Sequence, residues 1–517
     1  MEVVGALCLA TDLGMGLPFE HGLQSTLFTA RLGKRLGADA ETLRQAYYAC
    51  LLFHSACMTD AHVAAQIFGG HLSEQQAPVM FGSPAEAFGG VVRSLPSPSS
   101  PLPVRALQVA HRLPKAARAF KPHMTAMCEV AEMLAGRLGL PDSLAGLFAH
   151  LTDRWDGKGP LRRAARTEIP LPLRIAHVAR DAALQRMLGG PQRAAHVVRE
   201  RAGAAFDPEI ATLLADGADE LLALDPEASA WDEVLACEPA PCMVLEGAAI
   251  DRALAAMGDF ADLSSPYFTG HSSGVAGLAA AGARSCGLDA AIVTRVQRAG
   301  FVHDLGRVSL HPRIWHKPGR LTPDEWEQVR LHAYHSERVL LRPASLAPLA
   351  QLAGAHHERL DGSGYHRGTA AAGLTAPARL LAAADAYHAM TEPRAHRAPI
   401  DPAHARQMLT ADCRAGRFDA DAVAAVLSAA GQPAPRVERP AGLTEREVEV
   451  VRLLARGLQT KQVAQQLGVS AKTADRHVQN AYAKIGVSTR AGATLFAMQR
   501  GLLTWGELPI AGASAGS

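Results

Sequence analysis

Apolar residues along this chain recur at helical steps, and the strict alternation that a half-buried strand needs is scarce. Ala- and Leu-rich stretches carry most of the pattern, which predicts a nearly all-α protein. Ile292, Val296 and Ala299 stand 11, 7 and 4 residues before His303, so the His303 ring is expected on the same buried helix face. Near the end of the chain, Ala474, Val478, Ala481, Tyr482 and Ile485 follow helical steps, while Lys472, Asp475, Arg476 and Gln479 fall on the opposite face. Gly468 reads as the C-cap of the helix before this one. Ser470 reads as its N-cap.

The breaks in the pattern divide the chain. SLPSPSSPLP at 94–103 is an irregular excursion inside a first block, 1–225. A looser stretch at 226–261 leads to a second block, 262–430. GQPAPRVERPAG at 431–442 is a proline-stiffened linker into a third block, 443–508, followed by a tail at 509–517 expected to be disordered. The first two blocks look like an internal duplication. FEHGLQSTLFTARLGKRLGAD at 19–39 parallels TGHSSGVAGLAAAGARSCGLD at 269–289, with 18 residues from His21 to Asp39 and from His271 to Asp289. LLFHSA at 51–56 parallels FVHDLG at 301–306, and HLTDRWDGKGP at 150–160 parallels AHHERLDGSGY at 355–365. Asp156 to Arg174 and Asp361 to Arg379 are again both 18 residues.

A length of 517 residues suits two to four domains, and 48% hydrophobic residues suffice for packed cores. A net charge of +2 gives no global attraction to nucleic acid or membrane, so either function would need a local patch. The eight cysteines form no CxxC pair, which argues for reduced, buried thiols rather than a disulfide or zinc framework. No basic leader opens the chain and no apolar run reaches the ~18 residues of a membrane span. A cytoplasmic protein without membrane contact is expected.

The second block carries the chemistry. HDLG at 303–306, a lone His271 before it, His332 after it, HHE at 356–358, DGSGY at 361–365 and Asp385 follow in order. Imidazole and carboxylate suit Fe, Mn or Zn, and one carboxylate can bridge two ions. In this order the words resemble the HD-GYP family of metal-dependent cyclic-dinucleotide phosphodiesterases, within the wider HD phosphohydrolases, over about residues 262–405. The resemblance implies two divalent transition-metal ions, Fe or Mn with Zn as a further candidate, held by His271, His303, Asp304, His332, His356, His357 and Asp385. It also implies a catalytic Asp304 and Arg307, with Arg307, Gly364, Tyr365, Arg394 and Arg397 on the substrate. Arg307 stands where the family usually has Lys, His366 replaces the Pro of GYP, and His388 stands where an acidic residue is usual. A Glu that holds a third metal in some members is here Tyr267, so two ions are expected. In the first block the ligands lapse: Asp304 corresponds to Ser55, the His356–His357 pair to Leu151–Thr152, and Asp385 to Arg180. His21, His54 and His123 remain, and this block reads as a degenerate HD domain with a packing, dimerising or sensing role.

The third block, LTEREVEVVRLLARG through AMQRGLL, resembles the LuxR-type helix-turn-helix of bacterial transcription regulators. Residues 441–505 hold nine Lys/Arg and four Asp/Glu, a local +5 of the kind phosphate binding requires. Lys472, Thr473, Arg476 and Gln479 are expected at the major groove, with Lys461 and Lys484 on phosphates. The resulting expectation is an all-α chain of two tandem HD-type domains and a small helix-turn-helix. It would hydrolyse cyclic di-GMP and bind double-stranded DNA as a homodimer. The alternative is a transcription factor whose HD block senses a nucleotide with little hydrolysis, or hydrolyses another cyclic nucleotide.

Overall fold

The computed structural model describes residues 1–53, 55, 67, 81–97, 100–225, 227–433, 440–500 and 502. His54 and the 509–517 tail lie outside the described residues. The fold is all-α, as the helical periodicity predicts; among the described residues the β pairing is limited to two isolated bridges, Ala202–Phe206 and Arg394–Arg397. The chain divides into two compact units. One comprises Met1–Gly277, Thr294–Gly354 and His388–Ile400; the other comprises Leu278–Val293, Ala355–Tyr387 and Asp401–Ser517.

In the first unit the helix His21–Arg35 packs against the helices Ala40–Leu51 and Leu171–Glu200. It is buried nearly all round: Leu23, Leu27 and Ala30 follow one face at steps of four and three residues, and Phe28 and Leu32 lie on another. The run Leu171–Glu200 is two helices. Gly189 and Gly190 leave helical geometry, Gly190 at a φ of 81°, and Pro191 follows where the second helix restarts. The helix Glu2–Met15 is buried for most of its length and packs against the short 3₁₀ turn Leu305–Ser309, just after the His303–Asp304 pair. Around that contact Glu2 accepts from the Ser345 N–H at 2.9 Å, Arg342 pairs with Glu20 at 2.7 Å, and the Arg338 guanidinium lies 4.0 Å from the Phe19 ring centre.

A local geometry recurs in the two halves of the chain. The helix Glu2–Met15 carries Asp12, whose carboxylate accepts from the Gly22 N–H at 3.0 Å and so anchors the start of the next helix, at His21. The helix Ala248–Asp262 ends on Asp262, which accepts from the Ser272 N–H at 3.0 Å and anchors the helix that starts at His271. Both hydrogen bonds span 10 residues. This aspartate was missed in the sequence reading, although both copies carry it nine residues before the histidine.

The second unit contains the helices Pro402–Arg414 and Ala420–Ala429, and then four short helices: Glu445–Ala455, Thr460–Gln466, Ala471–Ile485 and Arg490–Gln499. Val450, Leu453, Leu454, Val463, Ala464, Leu467, Ala474 and Val478 form one small core. Leu443, Val448, Val451, Ala455, Ala481 and Ala497 form another. Gly468, at a φ of 63°, turns the chain after the second of these helices, and Ser470 caps the third by accepting from the Thr473 N–H at 3.1 Å.

Candidate functional site

Asp304 is the focus of the first unit's polar core. The helix Ala290–Val302 delivers His303 and Asp304 at its end, and the following 3₁₀ turn brings Arg307 back toward them. His332 arrives on the helix Pro323–Leu340, whose start is fixed by a reciprocal cap between Thr322 and Glu325. Gly306 permits the approach: a Cβ there would lie 2.1 Å from the His332 carbonyl oxygen and 2.6 Å from the Ser336 nitrogen. The Gly306 N–H donates to Ser336 Oγ at 2.8 Å, which locks the turn to the helix.

Three imidazoles surround the carboxylate. His303 Nε2 is 3.0 Å and His271 Nε2 is 3.3 Å from Asp304 Oδ2, and His332 Nε2 is 3.1 Å from Oδ1. His271, His303 and Asp304 are completely buried. The opposite nitrogen of each ring is tied elsewhere: His303 Nδ1 to the Gly300 carbonyl at 2.7 Å, His332 Nδ1 to the Val329 carbonyl, and His271 Nδ1 to Glu392 at 2.8 Å. With Nδ1 as the donor in each case, all three Nε2 lone pairs face Asp304. Such a donor set, imidazole Nε2 atoms around a carboxylate, fits a divalent transition metal. Burial alone would raise the Asp304 carboxyl, but above all the Arg307 charge beside it holds it well below the usual carboxylate range. Burial pushes the Asp262 carboxyl up to about 6.

Arg307 Nη2 lies 2.6 Å from Asp304 Oδ2, and its guanidinium sits 4.3 Å from the Phe268 ring centre. Its Nε and Nη1 are buried without a hydrogen-bond partner among the described residues. Arg394 donates to the Tyr267 carbonyl at 2.7 Å and to Glu392 at 2.8 Å. Arg397 spends its guanidinium on the backbone carbonyls of Ala389, Met390 and Glu392. Glu392 was missed in the sequence reading; no local word marks it, since its link to His271 crosses 121 residues.

In the second unit His356 and Asp385 are buried, and His357 Nδ1 lies 3.5 Å from Asp385 Oδ2. The His356 and His357 ring centres are 4.1 Å apart, and the Tyr365 ring centre is 4.1 Å from that of His357. The DGSGY loop folds around Glu358, whose carboxylate accepts from the Arg367 and Thr369 N–H groups at 3.2 and 2.8 Å. Gly364 is required by close packing, since a Cβ there would meet Glu358 Cα at 2.5 Å. The third residue of the HHE word therefore shapes the loop, a role the sequence reading did not assign.

The first half of the chain is built differently around His21. His21 Nδ1 is 3.8 Å from Asp12 Oδ1. Arg180, the counterpart of Asp385, is buried with its guanidinium 3.8 Å from the Phe53 ring centre. His177, one turn earlier, is held neutral: burial, and then the Arg180 charge, push it down to about 3. A fixed cation thus stands at the sequence position aligned with Asp385. Among the described residues, no group of three ligand atoms suited to a metal gathers around His21. His123 is half-buried on the helix Leu102–Arg137.

In the C-terminal helices Lys461, Lys472, Arg476 and Gln479 are exposed and Thr473 is half-buried, while Ala474, Val478 and Ala481 are buried, as their helical phase predicts. Lys484 is exposed but pairs with Glu447 at 2.6 Å. Glu447 also closes a reciprocal cap with Thr444.

Residues 255–422 match the family model of the HD domain, and residues 441–497 match that of the bacterial regulatory proteins of the luxR family. The chain is 27% identical over 414 residues to the 3'3'-cGAMP-specific phosphodiesterase 3 of Vibrio cholerae, covering 78% of this chain and 89% of that protein. The match to the 3'3'-cGAMP-specific phosphodiesterase 1 of the same organism is 32% identical, covering 32% of this chain and 38% of the relative. The cyclic di-GMP phosphodiesterase of Thermotoga maritima is 37% identical over 25% of this chain and 36% of its own length. The crystal structure of a V. cholerae cyclic GMP-AMP-specific phosphodiesterase superposes with a TM-score of 0.57 at 24% identity, over 83% of this chain and 97% of that one, and shows a shared fold. The chain therefore joins an HD domain, at residues 255–422, to a regulatory domain of the luxR family, at residues 441–497.

Proposed function

We propose that this chain is a metal-dependent phosphodiesterase of cyclic dinucleotides coupled to a DNA-binding module. The observation that carries the reading is the buried Asp304 faced by three imidazole Nε2 atoms and one guanidinium. His356, His357 and Asp385 are proposed to complete a centre for two ions, Fe or Mn; one HD-domain match spans all seven residues. Bound there, the ions would supply an activated water and neutralise charge at a phosphodiester. The two Asp304 oxygens face different imidazoles, Oδ2 those of His271 and His303 and Oδ1 that of His332, so the carboxylate would serve the proposed ions with both oxygens. Arg307 has Nε and Nη1 donors to spare in a buried setting, and it is assigned to a phosphate oxygen. Tyr365, Gly364, Arg394 and Arg397 are assigned to the substrate from the sequence resemblance, although Arg397 is already engaged with backbone carbonyls. Water oxygen forms the new bond to phosphorus, the bond to a ribose oxygen breaks, and that oxygen takes the proton, leaving a linear dinucleotide.

The names of the relatives favour two substrates, cyclic di-GMP and 3'3'-cGAMP. Residues 1–225 are read as a degenerate HD copy. The helix Ala471–Ile485 is assigned to the major groove through Lys472, Thr473, Arg476 and Gln479, with Lys461 on phosphate. Lys484 serves the Glu447 cap as well as any phosphate contact. Homodimerisation on paired half-sites and a cytoplasmic location accord with that module. Among the described residues no helix is long and apolar enough to cross a membrane. The test is hydrolysis of both dinucleotides by anaerobically purified protein, with metal counted on the same sample. Asp304→Asn should lower turnover more than about 100-fold with the fold retained; full activity in that variant would refute the mechanism.

A further inference from the structure

We propose that Glu392 is a positioning residue that sets the orientation and basicity of His271 as a metal ligand. The inference rests on the metal-centre reading above and adds to it a group outside the seven ligands. Glu392 Oε2 lies 2.8 Å from His271 Nδ1, and Arg394 Nη2 donates to the same oxygen at 2.8 Å. The other oxygen is 3.2 Å from His388 Nδ1. The Arg394 guanidinium is itself anchored on the Tyr267 carbonyl and lies 5.1 Å from the Phe268 ring centre. The carboxylate is thus fixed from three sides, and it fixes in turn which His271 nitrogen carries the proton. The partners of the other two imidazoles are neutral: Gly300 O for His303 and Val329 O for His332. At Nδ1, His271 faces a carboxylate where the other two face backbone carbonyls. A carboxylate on the remote nitrogen makes the near nitrogen a stronger donor to a metal and holds the ring in plane with it.

A competing use of the same atoms is a further cation site, since His271, His388 and Glu392 offer ligand atoms within 4.8 Å of one another. Two features oppose it. Arg394 already occupies Glu392 Oε2, and Arg307 Nη2 stands 3.4 Å from His271 Nε2, so a cation there would face two guanidinium charges. His271 would also have to give both nitrogens to metals, whereas its Nδ1 already faces Glu392.

The test is calorimetric titration of the full-length, metal-free protein with Mn²⁺, comparing wild type with Glu392→Ala and Glu392→Gln. Two Mn²⁺ per wild-type chain are expected. Glu392→Ala should weaken one of the two sites about 10- to 100-fold and leave the other unchanged. Glu392→Gln, which keeps an acceptor oxygen without the charge, should lie between. Selective loss at one site separates positioning from general damage, which would weaken both. Wild-type affinities at both sites in Glu392→Ala, or in Glu392→Gln should the alanine variant not fold, would overturn the proposal. So would a third Mn²⁺ in wild type that vanishes in the variants, since Glu392 would then be a ligand. Absence of Mn²⁺ binding by wild type would instead refute the metal-centre reading, and the positioning role with it.

Discussion

Arg307 sits at the meeting point of charge and burial. Its Nη2 neutralises Asp304, its face rests on Phe268, and two of its nitrogens keep their hydrogen-bonding capacity. Removing it should therefore affect both the centre and the reacting phosphate. Arg307→Ala is expected to lower kcat about 100- to 1,000-fold on a cyclic dinucleotide. Arg307→Lys should recover only part, because an ammonium lacks the planar fork that reaches two partners at once; steady-state kinetics of both variants check this. In the first half of the chain His177 makes a separate prediction about stability. Its folded-state value of about 3 lies below the ordinary 6.5, so the unfolded chain takes up the proton first as pH falls. Stability from this residue is complete above pH 6.5 and is lost toward pH 3, by at most about 1.4 kcal/mol per pH unit. Urea melts at pH 7 and pH 5 should show His177→Leu with a shallower loss than wild type; an unchanged pH dependence would remove this account.

At the scale of elements, the 3₁₀ turn Leu305–Ser309 follows directly on the His303–Asp304 pair and packs against two helices, Glu2–Met15 and Pro323–Leu340. Gly306→Ala would drive a methyl group into the His332 backbone, its Cβ 2.1 Å from the carbonyl oxygen. A loss of about 2–4 kcal/mol is expected, together with lower metal content, as read by a denaturation curve and metal analysis on the same preparation. The helices themselves were legible from the sequence because their signals are local: the helical phase of His303, the Gly468 turn and the Ser470 cap all stand where the pattern puts them. The seven ligand candidates were legible as words in order. Asp262 and Glu392 were not, because each acts through a backbone N–H or a distant ring rather than through a motif of its own, and Glu358 was legible in HHE without its role on the loop N–H groups. Lys484 shows the converse case. Its helical position suggests a phosphate contact, and the structure adds the Glu447 carboxylate buried beside it.

For the whole molecule, the join between an HD domain and a luxR-family domain makes a thermodynamic demand. If a nucleotide alters DNA affinity by some factor, cognate DNA must alter nucleotide affinity by the same factor. Titrating the metal-loaded protein with a non-hydrolysable phosphorothioate cyclic dinucleotide, with and without DNA, measures that factor. Equal affinities in both titrations would mean the two activities merely share a chain.

The two halves also differ in what supplies their central positive charge. In the first half Arg180 is a cation written into the polypeptide, buried against Phe53, that no chelator can strip and no shortage can withhold. At the position aligned with it the second half has Asp385, a buried carboxylate proposed to take its positive charge from a metal ion. If Asp385 holds a metal ion as proposed, starvation for transition metal would silence the second half and leave the Arg180 side of the first half unchanged, so that the chemistry of the chain would be conditional on supply.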